Sequence, residues 1–309
     1  MIIRKKYSDI PLYSFSSVWP FFFLPFRFRT FKNSWAFIGT VLKDFFFLQW
    51  SKKLHLRKIP VIKVDTDIDD VIPFSPDHVS DYMSFIPFFI KPFDMLKCCL
   101  GYKKAADAMN GYLKFLKDIY HNASKIYRFC MSTTLRPKYL KKQKFRAIHF
   151  FDPHLLCVPS IHVAIAAGTY FWFAQLFKTS ILSQQEAEKR LGEIKKQAVA
   201  IIESVLFVKQ HSVNCVPMAL YMLSSTMDKS FLSPEDASSF INELFKTSDE
   251  ITLVNKIKIT EHFNYMYERA FLESKYSNDW ETSIKHWLIT HAQESGQEIP
   301  YTFTNDVFQ

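Results

Sequence analysis

Glycine is nearly absent from this chain, 6 residues in 309 against 32 Phe. A sandwich of short strands turns on glycine-rich corners, so this scarcity, with a modest β-branched content, points to helices. Cysteine is sparse too. Cys98, Cys99, Cys130, Cys157 and Cys215 form an odd set with no Cys-x-x-Cys pair, against a disulfide framework and against a structural zinc site. Buried thiols in a reducing or membrane-embedded setting are expected. With 48% hydrophobic and 22% charged residues the chain is too apolar for disorder. Clean long apolar runs are also missing. The charge-free stretches are Ile10–Phe26, Pro153–Phe177 and Gln210–Met227, and the first carries Pro11, Pro20 and Pro25, which break a regular helix. Arg4, Lys5 and Lys6 precede it as in a signal peptide, but no small-residue cleavage site follows.

The net charge of +9 is unevenly placed. Residues 1–60 hold 11 Lys/Arg against 2 Asp, and residues 101–150 hold 12 against 2. Between them residues 61–100 hold 3 basic and 7 acidic residues, and 151–309 hold 13 and 19. Three segments follow: a basic, aromatic N-terminal segment (1–60), a helical core (61–227) and an acidic helical C-terminal extension (228–309). The stretches 35–50 and 83–100 are rich in Phe, Trp and Leu but are interrupted by Lys43, Asp44, Lys91 and Asp94. Aromatic residues beside Arg and Lys suit a membrane interface, so membrane association, integral or peripheral, is expected, with a soluble Phe-rich bundle as the alternative. No nucleic-acid motif accompanies the basic blocks.

The run Asp65-Thr-Asp-Ile-Asp-Asp70 fails as a calcium loop, with Asp70 where Gly is needed and Pro76 where Glu is needed, and reads as a solvated turn. Ser183-Gln-Gln-Glu186 opens a helix whose pattern continues towards His211, and Ser233-Pro-Glu-Asp236 opens another. Ser160 suits the N-cap of an apolar helix through Phe177, which puts His162 in its first turn beside free N–H groups that suit a phosphate. Ser204 and His211, seven residues apart, would face the same way on one helix. Arg136 offers a bidentate clamp for phosphate oxygens. Two histidines, one as nucleophile and one as general acid, with cationic clamps, make a phosphoryl-transfer site needing no metal.

These segments together resemble the type 2 phosphatidic acid phosphatase superfamily, and within it the branch related to inositol phosphorylceramide synthases. The likeness covers about residues 65–225. It rests on Asp69-Asp-Val-Ile-Pro-Phe74 with Phe85-Ile-Pro-Phe-Phe89, on Ser132-Thr-Thr-Leu-Arg136-Pro137, on Asp152 with Val158-Pro-Ser-Ile-His162-Val, and on Ser204-Val-Leu-Phe-Val-Lys209-Gln-His211. The resemblance implies an α-helical bundle around a phosphate site. It makes His211 the nucleophile that forms a phosphohistidine and His162 the acid that protonates the leaving oxygen. Arg136, Lys209 and the Ser160 backbone would bind phosphate, and no cofactor is implied.

Three positions depart from the superfamily pattern. Phe129 stands where a Lys seven residues before Arg136 is expected, with Lys125 a turn farther back, and Val205 replaces an Arg. Cys215 occupies the place of the Asp that orients the nucleophilic histidine; Asn214 or Asp152 are candidates to replace it. The resemblance therefore leaves two readings. One is a phosphatase or phosphotransferase acting on a phospholipid or related phosphate monoester. The other is a catalytically degenerate member that binds lipid or phosphate or acts as a scaffold. A soluble acid phosphatase is a third, and oligomeric state stays open.

Overall fold

The computed structural model describes residues 7, 10–179, 182–277 and 279–300. Arg4, Lys5 and Lys6 lie outside them. Among the described residues there are fourteen α-helices and one two-stranded parallel ladder, so the chain is all-α. In order they are α1 (Trp19–Phe23), α2 (Phe28–Thr40), a π-helical stretch Val41–Phe47, α3 (Leu48–Lys53), β1 (Val61–Lys63), α4 (Asp67–Asp70), α5 (Val79–Met83), α6 (Phe85–Leu100) and α7 (Tyr102–Phe129). Then come β2 (Met131–Thr133), α8 (Gln143–Phe151), α9 (Ile161–Lys178), α10 (Gln184–Phe207), α11 (Cys215–Thr226), α12 (Pro234–Ile241), α13 (Leu253–Ser274) and α14 (Trp280–Glu294).

α9 is apolar all round, which is the pattern of a helix enclosed on every side. It packs against α6, α7, α10 and α11. Gly168 permits the α7 crossing, because a Cβ there would lie 2.6 Å from the Phe115 ring. Beside it the buried Tyr112 and Thr169 hydroxyls bond at 2.7 Å. The three segments read from the sequence share one hydrophobic cluster, from Leu12 through Phe93 and Val205 to Ala292.

Of the charges that interrupt the aromatic stretches, Asp44 and Asp94 are buried and paired, whereas Lys43 is exposed and Lys91 is half-buried. Asp44 accepts from Arg128 at 2.5 Å and sits 3.3 Å from His121. Asp94 pairs with Lys97 at 2.6 Å and accepts the Ser16 N–H. Among the described residues no helix is long and apolar enough to cross a membrane.

One buried acid carries a pH-dependent cost. Glu203 on α10 accepts the Phe245 N–H at 2.5 Å, and burial pushes its carboxyl from 4.5 up to about 7. A carboxyl raised in the fold keeps its full stability below 4.5 and loses it as pH climbs through about 7. The shift corresponds to about 3 kcal/mol. Glu203→Gln keeps an acceptor without the charge. Thermal unfolding should show it gaining on the wild type between pH 4 and pH 8.5, and a pH-independent difference would refute the assignment.

Candidate active site

The site is assembled where α9 begins and α10 ends. Ser160 caps α9 as expected, its Oγ accepting from the Val163 N–H at 3.3 Å. That cap leaves first-turn N–H groups without intrahelical partners and aims the helix dipole at the site. His162 lies in this first turn, stacked on Tyr82 from α5 and tilted against Phe85 from α6. Burial first, and the neighbouring His211 second, push His162 down to about 3, which leaves the imidazole neutral at pH 7.

His211 is not on the helix that carries Ser204. α10 stops at Phe207, Lys209 takes a left-handed conformation at φ 54°, and the loop turns away before α11. The expectation that Ser204 and His211 face the same way is therefore corrected. The Ser204 hydroxyl bonds its own helix at Ile201 O, and it is the loop that carries His211 inward. There His211 Nε2 lies 3.2 Å from His162 Nδ1 and 3.3 Å from Ser160 Oγ.

The other anticipated residues divide between two openings that share His211. An apolar cavity of about 220 Å³ is lined by His162, His211, Cys157, Tyr82, Phe46 and Phe151, among others. A polar groove of about 530 Å³ holds Arg136 and Lys209 with Asp65, Asp67, Asp69 and Asp70. Arg136 Nη1 donates to Gln210 Oε1 at 3.0 Å and lies 3.6 Å from Asp152 Oδ2. The Lys209 ammonium donates to the Asp69 carbonyl at 2.5 Å. Burial alone would raise Asp152, but hydrogen bonds from His154 and the charges of His154 and Arg136 outweigh it and hold the carboxyl at about 2.

Neither candidate stand-in for the missing carboxylate reaches His211. Asp152 is committed to Arg136 and His154. Asn214 donates to Val64 O at 3.0 Å and its Oδ1 meets His262 Nε2 at 2.8 Å. Cys215 is fully buried, and His211 Nδ1 is buried without a hydrogen-bond partner. Lys125 is remote from the site. α7 ends between it and Arg136, and its ammonium pairs with Glu281 at 2.8 Å.

The acidic run is not a solvated turn. Asp67–Asp70 is helical, and Asp69 is the residue that braces the His211 loop. Its Oδ1 accepts the Val213 N–H at 2.8 Å, and its Oδ2 accepts the Ser212 hydroxyl at 2.7 Å and the Thr66 N–H at 2.9 Å. Burial raises its carboxyl against these bonds. The Thr66-x-x-Asp69 spacing of a helix cap was the available signal. Gln210, which receives Arg136, and Tyr127, whose hydroxyl donates to Pro159 O under the α9 cap, were not singled out by pattern. Among the described residues no group of three or more His, Cys, Asp or Glu side chains is arranged to hold a metal ion.

Comparison with protein families, with curated proteins and with solved structures finds no match to this chain.

Proposed function

We propose that this protein binds the phosphate of a phospholipid or related phosphate monoester at the α9 N-terminus and transfers it through a phosphohistidine at His211. The approach of His211 Nε2 to His162 Nδ1, 3.2 Å apart beside a capped helix N-terminus, carries this reading. The type 2 phosphatidic acid phosphatase likeness supplies the roles. The Nε2 lone pair attacks phosphorus as the P–O ester bond breaks, and His162 gives its proton to the leaving oxygen. Water then attacks the phosphohistidine, the N–P bond breaks with its electrons returning to Nε2, and His162 takes the water's proton. A bound phosphate brings the negative charge that favours a protonated His162. Arg136 and Lys209 border the adjoining groove, and a phosphate entering it competes with Asp152 and the Asp69 carbonyl for them.

One observation favours the second reading, a degenerate member that binds phosphate without turning it over. The buried His211 Nδ1 has no carboxylate partner. The test is orthophosphate release from phosphatidic acid in EDTA, with acid-labile phosphate trapped on His211. Orthovanadate binding without release selects the degenerate member, and neither binding nor release overturns both.

We further propose peripheral contact with an anionic membrane. Trp19, Phe22, Phe26, Phe28, Phe31 and Trp35 are exposed, Phe28 by 98%, and Arg27, Arg29 and Lys32 are interleaved with them. Phe46, Met83 and Phe151, each exposed, line the apolar cavity, so the same chemistry borders the site. Each Phe that enters lipid contributes about 1.5–3 kcal/mol. Phe26→Glu with Phe28→Glu should therefore weaken flotation with phosphatidylglycerol vesicles by roughly a hundredfold or more. Unchanged flotation, or none by the wild type, removes the membrane contact and leaves the phosphate chemistry standing.

A further inference from the structure

The apolar cavity beside the two histidines has one wall with no part in the phosphate chemistry. That wall comes from the N-terminal segment, outside the stretch from about residue 65 onward that carries the family likeness. The π-helical stretch Val41–Phe47 runs directly into α3, and Phe45, Phe46 and Gln49 enter the lining from its end and from the first turn of α3. Asp44 on the same stretch accepts from Arg128 at 2.5 Å, which ties this wall to α7.

Gln49 is the polar residue of the wall. It is 1% exposed, and its Oε1 is buried without a hydrogen-bond partner among the described residues. The lining it shares is largely apolar, with Phe45, Phe46, Met83, Ile148 and Leu156. Beyond the histidine pair, the other polar residues of the lining are engaged. Asp152 holds Arg136 and His154, and His154 also meets Thr134 at 3.1 Å. The Cys157 thiol donates to the Gln210 carbonyl at 3.9 Å, and Tyr82 stacks its ring on His162. A buried amide oxygen without a donor is uncommon and costly, and a ligand that supplies the donor removes the cost.

We infer that Gln49 is a specificity-determining residue, and that the cavity takes the aliphatic part of a lipid phosphate carrying a hydroxyl or amide N–H close to its phosphoester. The cavity wall includes His162 and His211, so the group that enters it is the one bonded to the phosphate. At about 220 Å³ the cavity is smaller than the roughly 300–1,000 Å³ of pockets that enclose a whole drug-sized ligand, so it holds only the first part of a chain. The exposed Phe46, Met83 and Phe151 give the rest of the chain an apolar way out. The glutamine amide turns on a soft terminal torsion, which brings its oxygen to a donor inside. A chain that fills the cavity expels water that would meet the amide. A ligand with a donor replaces that bond, and one without a donor forfeits it. Phosphatidic acid, esterified at both alcohols, lacks the donor and is expected to be the weaker substrate.

The inference rests on the phosphate-binding reading, and the test separates the two. Three single-chain phosphate monoesters of equal acyl length serve as probes. They are 1-acylglycerol 3-phosphate with a free hydroxyl, N-acylethanolamine phosphate with an amide N–H, and 1-acylpropanediol 3-phosphate with neither. The full-length wild type should favour at least one donor-bearing probe over the third by roughly five- to hundredfold in kcat/KM, and the two arms tell which donor Gln49 meets. Gln49→Leu, with Gln49→Met as a second replacement of similar volume, should bring that ratio to about one. A packing role alone would change all three probes alike and leave the ratio where it was. Calorimetric binding of the same probes reads the preference without turnover. A binding preference that the substitutions remove, with no phosphate released, keeps Gln49 and overturns the phosphohistidine. Equal kcat/KM for the three probes, or a preference unchanged in both variants, overturns the inference and leaves the phosphohistidine in place. Binding of none of the probes overturns both.

Discussion

His211→Ala is expected to abolish phosphate release from phosphatidic acid in EDTA, a fall on the order of 10⁴-fold or more, as for other removed nucleophiles. His162→Ala should behave differently, because its role depends on the leaving group. A general acid contributes about 10²–10⁴ when the departing oxygen is a poor leaving group. An activated ester such as p-nitrophenyl phosphate departs without protonation, so His162→Ala should lose far less rate on it than on phosphatidic acid. His211→Ala should lose equally on both. In the proposed mechanism Nε2 of His211 meets phosphorus directly, while His162, enclosed by Tyr82 and Phe85, would reach the substrate only through a proton. Initial rates for the two substrates and two variants decide the matter. Equal losses on both substrates for both variants would remove His162 from the acid role, and no loss in either would remove the site.

Asp69→Ala should destabilise the fold by about 3 kcal/mol or more, since each hydrogen bond to a charged acceptor contributes about 1.5–3 kcal/mol. The carboxylate receives the Val213 N–H, the Ser212 hydroxyl and the Thr66 N–H, and its removal leaves these part-buried donors without their acceptor. The effect should reach the site even in molecules that remain folded, because the braced loop carries His211. Asp69→Asn keeps one carbonyl oxygen for the Val213 N–H and should fall between the wild type and Ala. Chemical denaturation gives the stability, and amide hydrogen exchange at Val213 reports the loop. A change within about 0.5 kcal/mol, the range of ordinary surface substitutions, would show that the loop stands without Asp69.

Much of this molecule was legible residue by residue. Scarce glycine and helix-length apolar patterns set the all-α class, and Ser160, Ser183 and Ser233 each cap the helix their spacing announced. Caps and periodicity are settled by neighbours three or four positions apart, so they can be read along a chain. The pairing of Pro-Ser-Ile-His162 with Lys-Gln-His211 rested on their residue types and on a family likeness, and the geometry that joins them depends on a helix ending at Phe207 that the apolar pattern did not mark. Asp44 and Asp94 read as charges breaking apolar stretches, and packing turned both into buried, paired groups. Asp69 read as part of a solvated turn because its partners Ser212 and Val213 lie more than 140 positions away. The sequence by itself determined the helical class, the capped helix starts and the absence of an acid at position 215. Only the tertiary structure decided which side chains surround His211, with His162 and Ser160 at its Nε2, because burial and contact across distant segments are properties of the packed chain.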